Sequence, residues 1–343
     1  MQQTEHETFV RELASRTALA AQNWRVGTAV TDVRALTGGA SSLTFIADLE
    51  HDDLSESVVL KVSPPGLAPL RNRDVIRQGR VMNALQGKFG VKAPIVHFDD
   101  SGDPPNVPPF VAMEVVPGEC VEPLLDAERV RGAESRRQTR ARFLSAARML
   151  GHLHRVNPGD VGLGDEPVME LSGEIDRWTR AFKTLPDDLR GDFQACAQAL
   201  YETMPVALPP VVNHGDYRLG NTLCEGDAVT AIIDWEIWSV GDPRVDLTWL
   251  TYFTDEAKHP AAAGTGPCGA PTVAEVVREY EQALGRSVPD IDWFNALTRY
   301  KEAAATGLLI KRARKGGVMN SSFALMEPEL PNLLSEAMSL IGR

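Results

Sequence analysis

Three short polar blocks between residues 214 and 246 constrain this chain more than any other feature of its sequence. They are HGDYRLGN, IIDWE and GDPRVD. The first places Asp216 and Asn221 five residues apart in a loop, and the second places Asp234 at the end of an apolar strand. Oxygen ligands from such side chains suit Mg²⁺, whose remaining positions phosphate oxygens can fill. An acid free of the metal can accept a hydroxyl proton. The set therefore predicts metal-assisted phosphoryl transfer.

The order and spacing of these blocks resemble those of a known superfamily. H-G-D-x-x-x-x-N, then I-D-W-E, then G-D-P-x-x-D is similar to the pattern of aminoglycoside phosphotransferases and choline kinase-like proteins. The resemblance covers most of the chain. It implies an α+β, protein kinase-like bilobal fold with a β-rich N-terminal lobe and a mainly helical C-terminal lobe. It also implies ATP (or GTP) and Mg²⁺ as cofactors and a small-molecule hydroxyl as the acceptor.

The resemblance implies roles for individual residues of the blocks. Asp216 resembles the catalytic base that orients the acceptor hydroxyl. Arg218 lies where similar enzymes often place a cation near the transferring phosphoryl group. Asn221 and Asp234 resemble the Mg²⁺ ligands, whereas Asp246 is expected to brace the loop.

Nucleotide-binding residues are expected in the N-terminal lobe. Lys61 follows three apolar residues in the predicted strand VVLKV, and the resemblance implies that it contacts the α- and β-phosphates. A strand-edge lysine with its stem on apolar surface is the alternative. Gly39, Ser41 and Ser42 are small enough to let backbone N–H groups approach phosphates, although an ordinary hairpin turn is favoured when the loop is considered by itself.

The segment MEVV is predicted to connect the two lobes. The resemblance implies that the backbone around Glu114 and Val116 binds the adenine edge, with Met113 behind the base. A plain strand end is compatible with the same residues.

One departure from the family pattern concerns the partner of Lys61. Similar sequences often carry a glutamate in the following helix, where this chain has Gln78. We therefore expect either Gln78 or the nearby Asp74 to hold the lysine. Two alternatives without catalysis stay open: a nucleotide-binding pseudoenzyme and a helical binding protein that binds no nucleotide. Gln78 is the one feature that supports the pseudoenzyme.

Composition is compatible with a two-domain enzyme. The chain has 343 residues, and at about 150 residues per domain this predicts two domains: a nucleotide-binding lobe at 1–116 and a helical lobe at 117–343. A formal net charge of −12 disfavours nucleic acid as a partner. The sequence shows no run of the ~18 apolar residues of a membrane span and no secretory signal. Its four scattered cysteines predict reduced thiols and a cytoplasmic location.

Hydrophobic periodicity predicts where the regular elements lie. In the first third, strands are expected at 26–35, 43–49 and 58–62 and in two further segments before residue 117, with a helix at 70–87. The later helices are predicted at 134–155, 173–183, 186–203, 243–253, 273–284, 291–315 and 328–340, and residues 257–271 are predicted to be irregular.

The acceptor is the least constrained part of the prediction. GGASSLTF, HGDYRLGN and IDWE resemble the kinase-like domains associated with acyl-CoA dehydrogenases, a branch linked to phosphorylation of hydroxyacyl-CoA compounds. Hydroxyacyl-CoA and aminoglycosides are therefore both candidate acceptors. Arg299, Lys301 and the basic residues of 311–315 fit either a site for an anionic acceptor or a solvated helix end.

Overall fold

The structure is a computed structural model of the chain. It describes residues 3–36, 43–126, 130, 132–262 and 265–343, with side chains from residue 6 onward. The chain divides into two compact units. The first contains residues up to Gly87, Lys92–Pro117 and Ala231–Ile237, and the second contains Lys88–Val91, Gly118–Thr230 and Trp238–Arg343. The boundary at residues 116 and 117 stays a prediction of the sequence.

The strands in the described residues are β1 (Ala29–Ala35), β2 (Leu43–His51), β3 (Leu54–Val62), β4 (Val96–Asp100), β5 (Phe110–Glu114), β6 (Val168–Met169), β7 (Val211–Asn213), β8 (Thr222–Glu225), β9 (Ala228–Ile232) and β10 (Ser239–Gly241). The helices in the same residues are α1 (Gln3–Trp24), α2 (Val75–Leu85), α3 (Ala133–Leu153), α4 (Leu171–Phe182), α5 (Phe193–Glu202), α6 (Arg244–Tyr252), α7 (Val273–Leu284), α8 (Ile291–Gly316), α9 (Ser321–Met326) and α10 (Leu330–Leu340).

An antiparallel sheet in the order β1-β2-β3-β5-β4 forms the centre of the first unit. Side chains that alternate along β2 and β3 face one core, as period-2 patterning requires. The buried members in these two strands are Phe45, Ala47, Leu49, Val58, Leu60 and Val62. Asp52 and Asp53 form the β2–β3 turn with φ of 46° and 63°, a conformation that short polar residues tolerate.

Helix α1 corrects one prediction. The sequence pattern predicts mostly strands in the first third of the chain, but α1 covers 22 residues there. Leu13, Ala20 and Ala21 of this helix are buried in the same cluster as Phe45 and Leu60 of the sheet. The helix is therefore stabilised by an apolar stripe on a neighbouring sheet, which its own weak periodicity does not reveal.

The second unit is mainly helical, around the long helix α8. Trp293, Phe294 and Tyr300 of α8 are nearly or fully buried. A small sheet in the order β6-β10-β7 accompanies these helices, and β8 and β9 form a separate hairpin. The helix predicted at 186–203 begins later than expected, because Asp192 accepts a hydrogen bond from the backbone and caps α5. Helix α9 adds an element that the sequence pattern does not predict.

None of the helices that the structure describes has both the length and the apolar character needed to span a lipid bilayer.

Candidate active site

The loop that carries the first polar block follows β7 directly and is held at its base by Asp246. The backbone N–H groups of His214 and Gly215 donate to the two carboxylate oxygens of Asp246, at 2.5 and 2.8 Å. Gly215 has a φ of 88°, which a residue with a Cβ adopts at a cost. The Tyr217 hydroxyl donates to the Ala146 carbonyl at 2.8 Å and ties the loop to α3. The position of Asp216 is thus set by its neighbours on both sides.

Both carboxylate oxygens of Asp216 accept hydrogen bonds. The Asn221 amide donates to Oδ2 at 2.7 Å and to the Asp216 carbonyl at 2.8 Å. The Trp249 indole Nε1 donates to Oδ1 at 2.6 Å. The Asp216 side chain remains 30% exposed. An oriented and accessible carboxylate of this kind can accept the proton of a hydroxyl group.

Lys301 lies beneath this loop and is 6% exposed. Its ammonium group donates to the Gly215 carbonyl at 2.5 Å and lies 3.6 Å from the centroid of the Trp249 indole ring. Burial lowers the pKa of Lys301, while the nearby carboxylates of Asp216 and Asp246 oppose this shift. The sequence analysis predicted neither the hydrogen bond of Lys301 to Gly215 nor its contact with Trp249. Small and apolar residues predominate after Lys301 in the helical stretch RYKEAAATGLLI, a pattern that indicates a buried position. The sequence analysis overlooked this pattern because it grouped Lys301 with other basic residues.

Arg218 is paired with a second buried acid that the sequence analysis also missed. Its Nη1 lies 3.3 Å from Oε2 of Glu122, and its Nε lies 3.6 Å from Oδ1 of Asp216. Gly220 N–H donates to the same Glu122 oxygen at 3.0 Å. Burial raises the pKa of Glu122 to about 7, against the attraction of the Arg218 charge. The guanidinium is therefore anchored beside Asp216 by Glu122.

The two predicted metal ligands each present an oxygen with no donor among the residues that the structure describes. Asn221 uses its amide hydrogens on Asp216, which leaves its Oδ1 available. Asp234, in the first unit, has a φ of 65° and a side chain that is 42% exposed. Its Oδ1 contacts Lys61, which leaves its Oδ2 available. Hard oxygens of this type fit Mg²⁺.

Lys61 has a partner that differs from both expected ones. Its ammonium group lies 2.6 Å from Oδ1 of Asp234 within the first unit. The Gln78 amide instead donates to a backbone carbonyl six residues earlier, at 3.2 Å. Asp74 caps α2 by accepting the backbone N–H three residues later, at 3.0 Å. The expectation of Gln78 or Asp74 is therefore wrong, because both side chains bind the backbone around the start of α2.

The other predicted nucleotide-binding residues lie at the end of β5 or outside the described residues. The Glu114 N–H donates to the Ile95 carbonyl and its side chain accepts the Ile95 N–H, both at 2.9 Å. Val116 follows the strand, and its N–H has no acceptor in the described part of the chain. Met113 pairs with Val59 in the sheet. Adenine binding here stays a prediction.

The predicted phosphate-contacting residues Gly39, Ser41 and Ser42 lie outside the residues that the structure describes.

Comparison with protein families gives one match over most of the chain. The model described as "Phosphotransferase enzyme family" matches residues 32–294.

Curated relatives are similar at lower identity. Acyl-CoA dehydrogenase family member 10 of Mus musculus is 27% identical over 294 residues, which is 81% of this chain and 26% of that protein. Acyl-CoA dehydrogenase family member 11 of Pongo abelii is 25% identical over 72% of this chain and 32% of that protein. The chain thus spans between a quarter and a third of the length of these relatives.

Solved structures show the same fold. A Ralstonia eutropha protein assigned to the aminoglycoside phosphotransferases has a TM-score of 0.69 at 21% identity, with 91% of this chain and 92% of that chain covered. A choline/ethanolamine kinase family protein from Mesorhizobium loti has a TM-score of 0.52 at 19% identity, over 96% and 99%. The ternary complex of APH(2")-IIa with streptomycin and ATP has a TM-score of 0.50 at 19% identity, over 91% and 95%. The predicted α+β, kinase-like fold is confirmed.

Proposed function

The chain belongs to the phosphotransferase enzyme family, and from this premise we propose that it transfers the γ-phosphoryl group of Mg-ATP to a hydroxyl group of a small molecule. The observation that carries the proposal is the carboxylate of Asp216. Its two oxygens are held by Asn221 and Trp249, while the side chain stays 30% exposed. A binding protein without chemistry has no need for an accessible acid oriented in this way.

The chain's own residues support distinct parts of this reaction. Mg-ATP, when bound, supplies the phosphoryl group, and the metal neutralises phosphate charge. Asn221 and Asp234 are the proposed metal ligands, and Lys61 is the proposed phosphate contact. Asp216 orients the acceptor hydroxyl by accepting a hydrogen bond from it and then takes its proton. Arg218, anchored by Glu122, supplies positive charge beside Asp216.

The acceptor that we propose is a hydroxyacyl-CoA thioester. The support comes from the curated relatives, whose names identify acyl-CoA dehydrogenase family members and which match 81% and 72% of this chain. An aminoglycoside is the second candidate, supported by the structures assigned to that class of phosphotransferase. These two acceptors differ in charge and are distinguished by direct assay.

The test is ADP release from Mg-ATP across a panel of hydroxyl compounds. The panel holds hydroxyacyl-CoA thioesters, aminoglycosides, choline-like amines and sugars, and Asp216→Asn serves as the blank. We expect one class to give ADP release that falls by about 10²- to 10⁴-fold in Asp216→Asn, the usual contribution of a general base. Phosphorylated product identified by mass spectrometry then names the acceptor.

Asp53→Asn is the matched control, because Asp53 is an exposed turn residue with φ of 63°, which asparagine also tolerates. This control should keep full activity. Equal ADP release in Asp216→Asn and the wild type contradicts the role of Asp216 as the base. If Mg-ATP stabilises the protein against heat but no acceptor in the panel gives ADP release, the result contradicts phosphotransfer and supports the pseudoenzyme.

A further inference from the structure

The carboxylate of Asp216 is held by a residue from outside its own loop. Trp249 lies 33 residues further along the chain, on α6, and its indole N–H donates to Oδ1 at 2.6 Å. Asn221 binds the other oxygen from within the loop. Two donors on different oxygens define the plane of the carboxylate as well as its position. Trp249 is 5% exposed, so water does not readily replace its N–H.

Trp249 is itself held by a buried cation. The Lys301 ammonium group lies 3.6 Å from the indole centroid and also donates to the carbonyl of Gly215. A cation over an indole ring is attracted by the electron-rich face, and the attraction is stronger when the cation is desolvated. Among the charged groups that act on Lys301, Asp216, Asp246, Glu174 and Glu302 attract it and Arg177 repels it.

We propose that Trp249 and Lys301 are positioning residues for Asp216. The indole N–H sets the orientation of the carboxylate, and Lys301 holds both the indole ring and the backbone carbonyl next to Asp216. The inference rests on the proposed function, because that function makes Asp216 the base.

Trp249→Phe separates the hydrogen bond from aromatic packing. Phenylalanine keeps a ring next to Tyr252 and Phe253, whose centroids lie 6.2 and 5.7 Å from that of Trp249, but it has no N–H. Loss of a hydrogen bond to a charged group should lower kcat by about 10- to 100-fold, with the KM for ATP unchanged. Trp293→Phe is the matched control. Trp293 is also buried in the second unit, and its N–H donates to the Leu200 carbonyl at 3.1 Å, so kcat should stay at the wild-type value.

Lys301 is tested by two substitutions that differ in charge. Lys301→Met removes the cation and should lower kcat, whereas Lys301→Arg keeps a cation and should restore at least part of the activity. Residues that act through one another give losses that do not add. The Trp249→Phe, Lys301→Met double variant should therefore lose less than the product of the two single losses.

A measurement without turnover tests the contact itself. The indole N–H signal of Trp249 is assigned by nitrogen-15 NMR from its absence in Trp249→Phe. In Asp216→Ala this signal should move upfield and exchange faster with water, because the acceptor is gone. An unmoved signal overturns the positioning role alone. The same conclusion follows if Trp249→Phe keeps full kcat with an acceptor whose phosphorylation depends on Asp216. Absence of turnover with every acceptor and with water overturns the proposed function and this role together, and a signal that still responds to Asp216→Ala then assigns the contact to folding.

Discussion

Glu122 shows at the scale of one residue how burial and an ion pair compete. Its side chain is 5% exposed, and its Oε1 has no hydrogen-bond partner within the described chain. Its Oε2 contacts the guanidinium of Arg218 and accepts the N–H of Gly220. Burial is the larger effect and raises the pKa of Glu122 to about 7 from an ordinary 4.5. The folded protein therefore holds this proton more tightly than the unfolded chain does.

The raised pKa of Glu122 predicts a pH dependence of stability. Between about pH 4.5 and 7 the folded state binds more protons, so the contribution of Glu122 is fully present below pH 4.5 and is lost as the pH rises through 7. At 1.36 kcal/mol per pKa unit the loss is about 3 kcal/mol. Glu122→Gln should remove this pH dependence of stability. The free energy of unfolding of the variant, relative to that of the wild type, should therefore rise from pH 4.5 to 7.

Calorimetry or urea unfolding at several pH values between 4.5 and 7.5 makes this measurement. Glu225→Gln is the control, because Glu225 is exposed and its substitution should shift stability equally at every pH. A constant difference between Glu122→Gln and the wild type would show that the folded and unfolded chains ionise Glu122 alike.

The basic residues of α8 have separate roles at this scale. Lys301 is buried under the loop of Asp216. Arg314 pairs with Asp188 and Glu327 on the surface of the second unit, at 2.8 and 2.7 Å. The pairs of Arg314 favour a solvated helix end for residues 311–315, whereas Lys301 does not belong to that surface.

At the scale of elements, the contact between α3 and α7 depends on one small residue. Gly151 is buried on α3, and a Cβ at this position would lie 2.6 Å from the Ala283 side chain and 2.8 Å from the Tyr280 carbonyl. Real Cβ atoms do not approach other atoms so closely. The hydroxyl group of Tyr280 is also hydrogen-bonded to Nδ1 of His154 at 2.7 Å, so the contact between these helices includes a buried polar pair. The sequence needs glycine here because two helix backbones approach each other.

Gly151→Ala should therefore destabilise the protein, by about 1–3 kcal/mol, as overpacking in a core typically does. Gly316→Ala is the matched control in another helix, because a Cβ there meets no atom within 4 Å. That substitution should be neutral or slightly stabilising, since alanine has the higher helix propensity. Chemical unfolding of both variants measures the difference. Equal stability of the two variants would mean that α3 and α7 can separate at little cost.

At the scale of the whole molecule, binding of Mg-ATP should stabilise the folded chain. A ligand that binds only the folded state adds about 2.7 kcal/mol at a concentration of 100 Kd. Asp234 is the proposed metal ligand, with Oδ2 available and Oδ1 against Lys61. Asp234→Asn should therefore reduce the rise in Tm that Mg-ATP causes. Thermal shift with and without Mg²⁺ measures this effect, and Asp53→Asn should keep the full rise. An unchanged rise in Asp234→Asn removes Asp234 from the metal site.

Local chemistry explains which features the sequence predicts well. Asp216 and Asn221 are five residues apart, and their side chains lie 2.7 Å from each other, as a short polar loop allows. Alternating apolar residues predict β2 and β3, and the 3.6-residue period predicts α8 as 291–315 against the observed Ile291–Gly316. Helix α1 escapes prediction because its stability comes from packing on the sheet, which is a property of the neighbour rather than of the helix.

Residue types at short, fixed spacings identify the family, the kinase-like fold and the segments that carry the polar blocks, so these features could be predicted from the sequence. Which side chains contact one another depends on the folded arrangement of the chain. Lys61 contacts Asp234, 173 residues away, rather than a residue of α2, and Asp216 is held by Trp249 with Lys301 beneath the loop. Such contacts join residues far apart in the chain. They depend on how strands and helices pack and on which polar side chains are already hydrogen-bonded to the nearby backbone. Neither property can be predicted from a local pattern of residues.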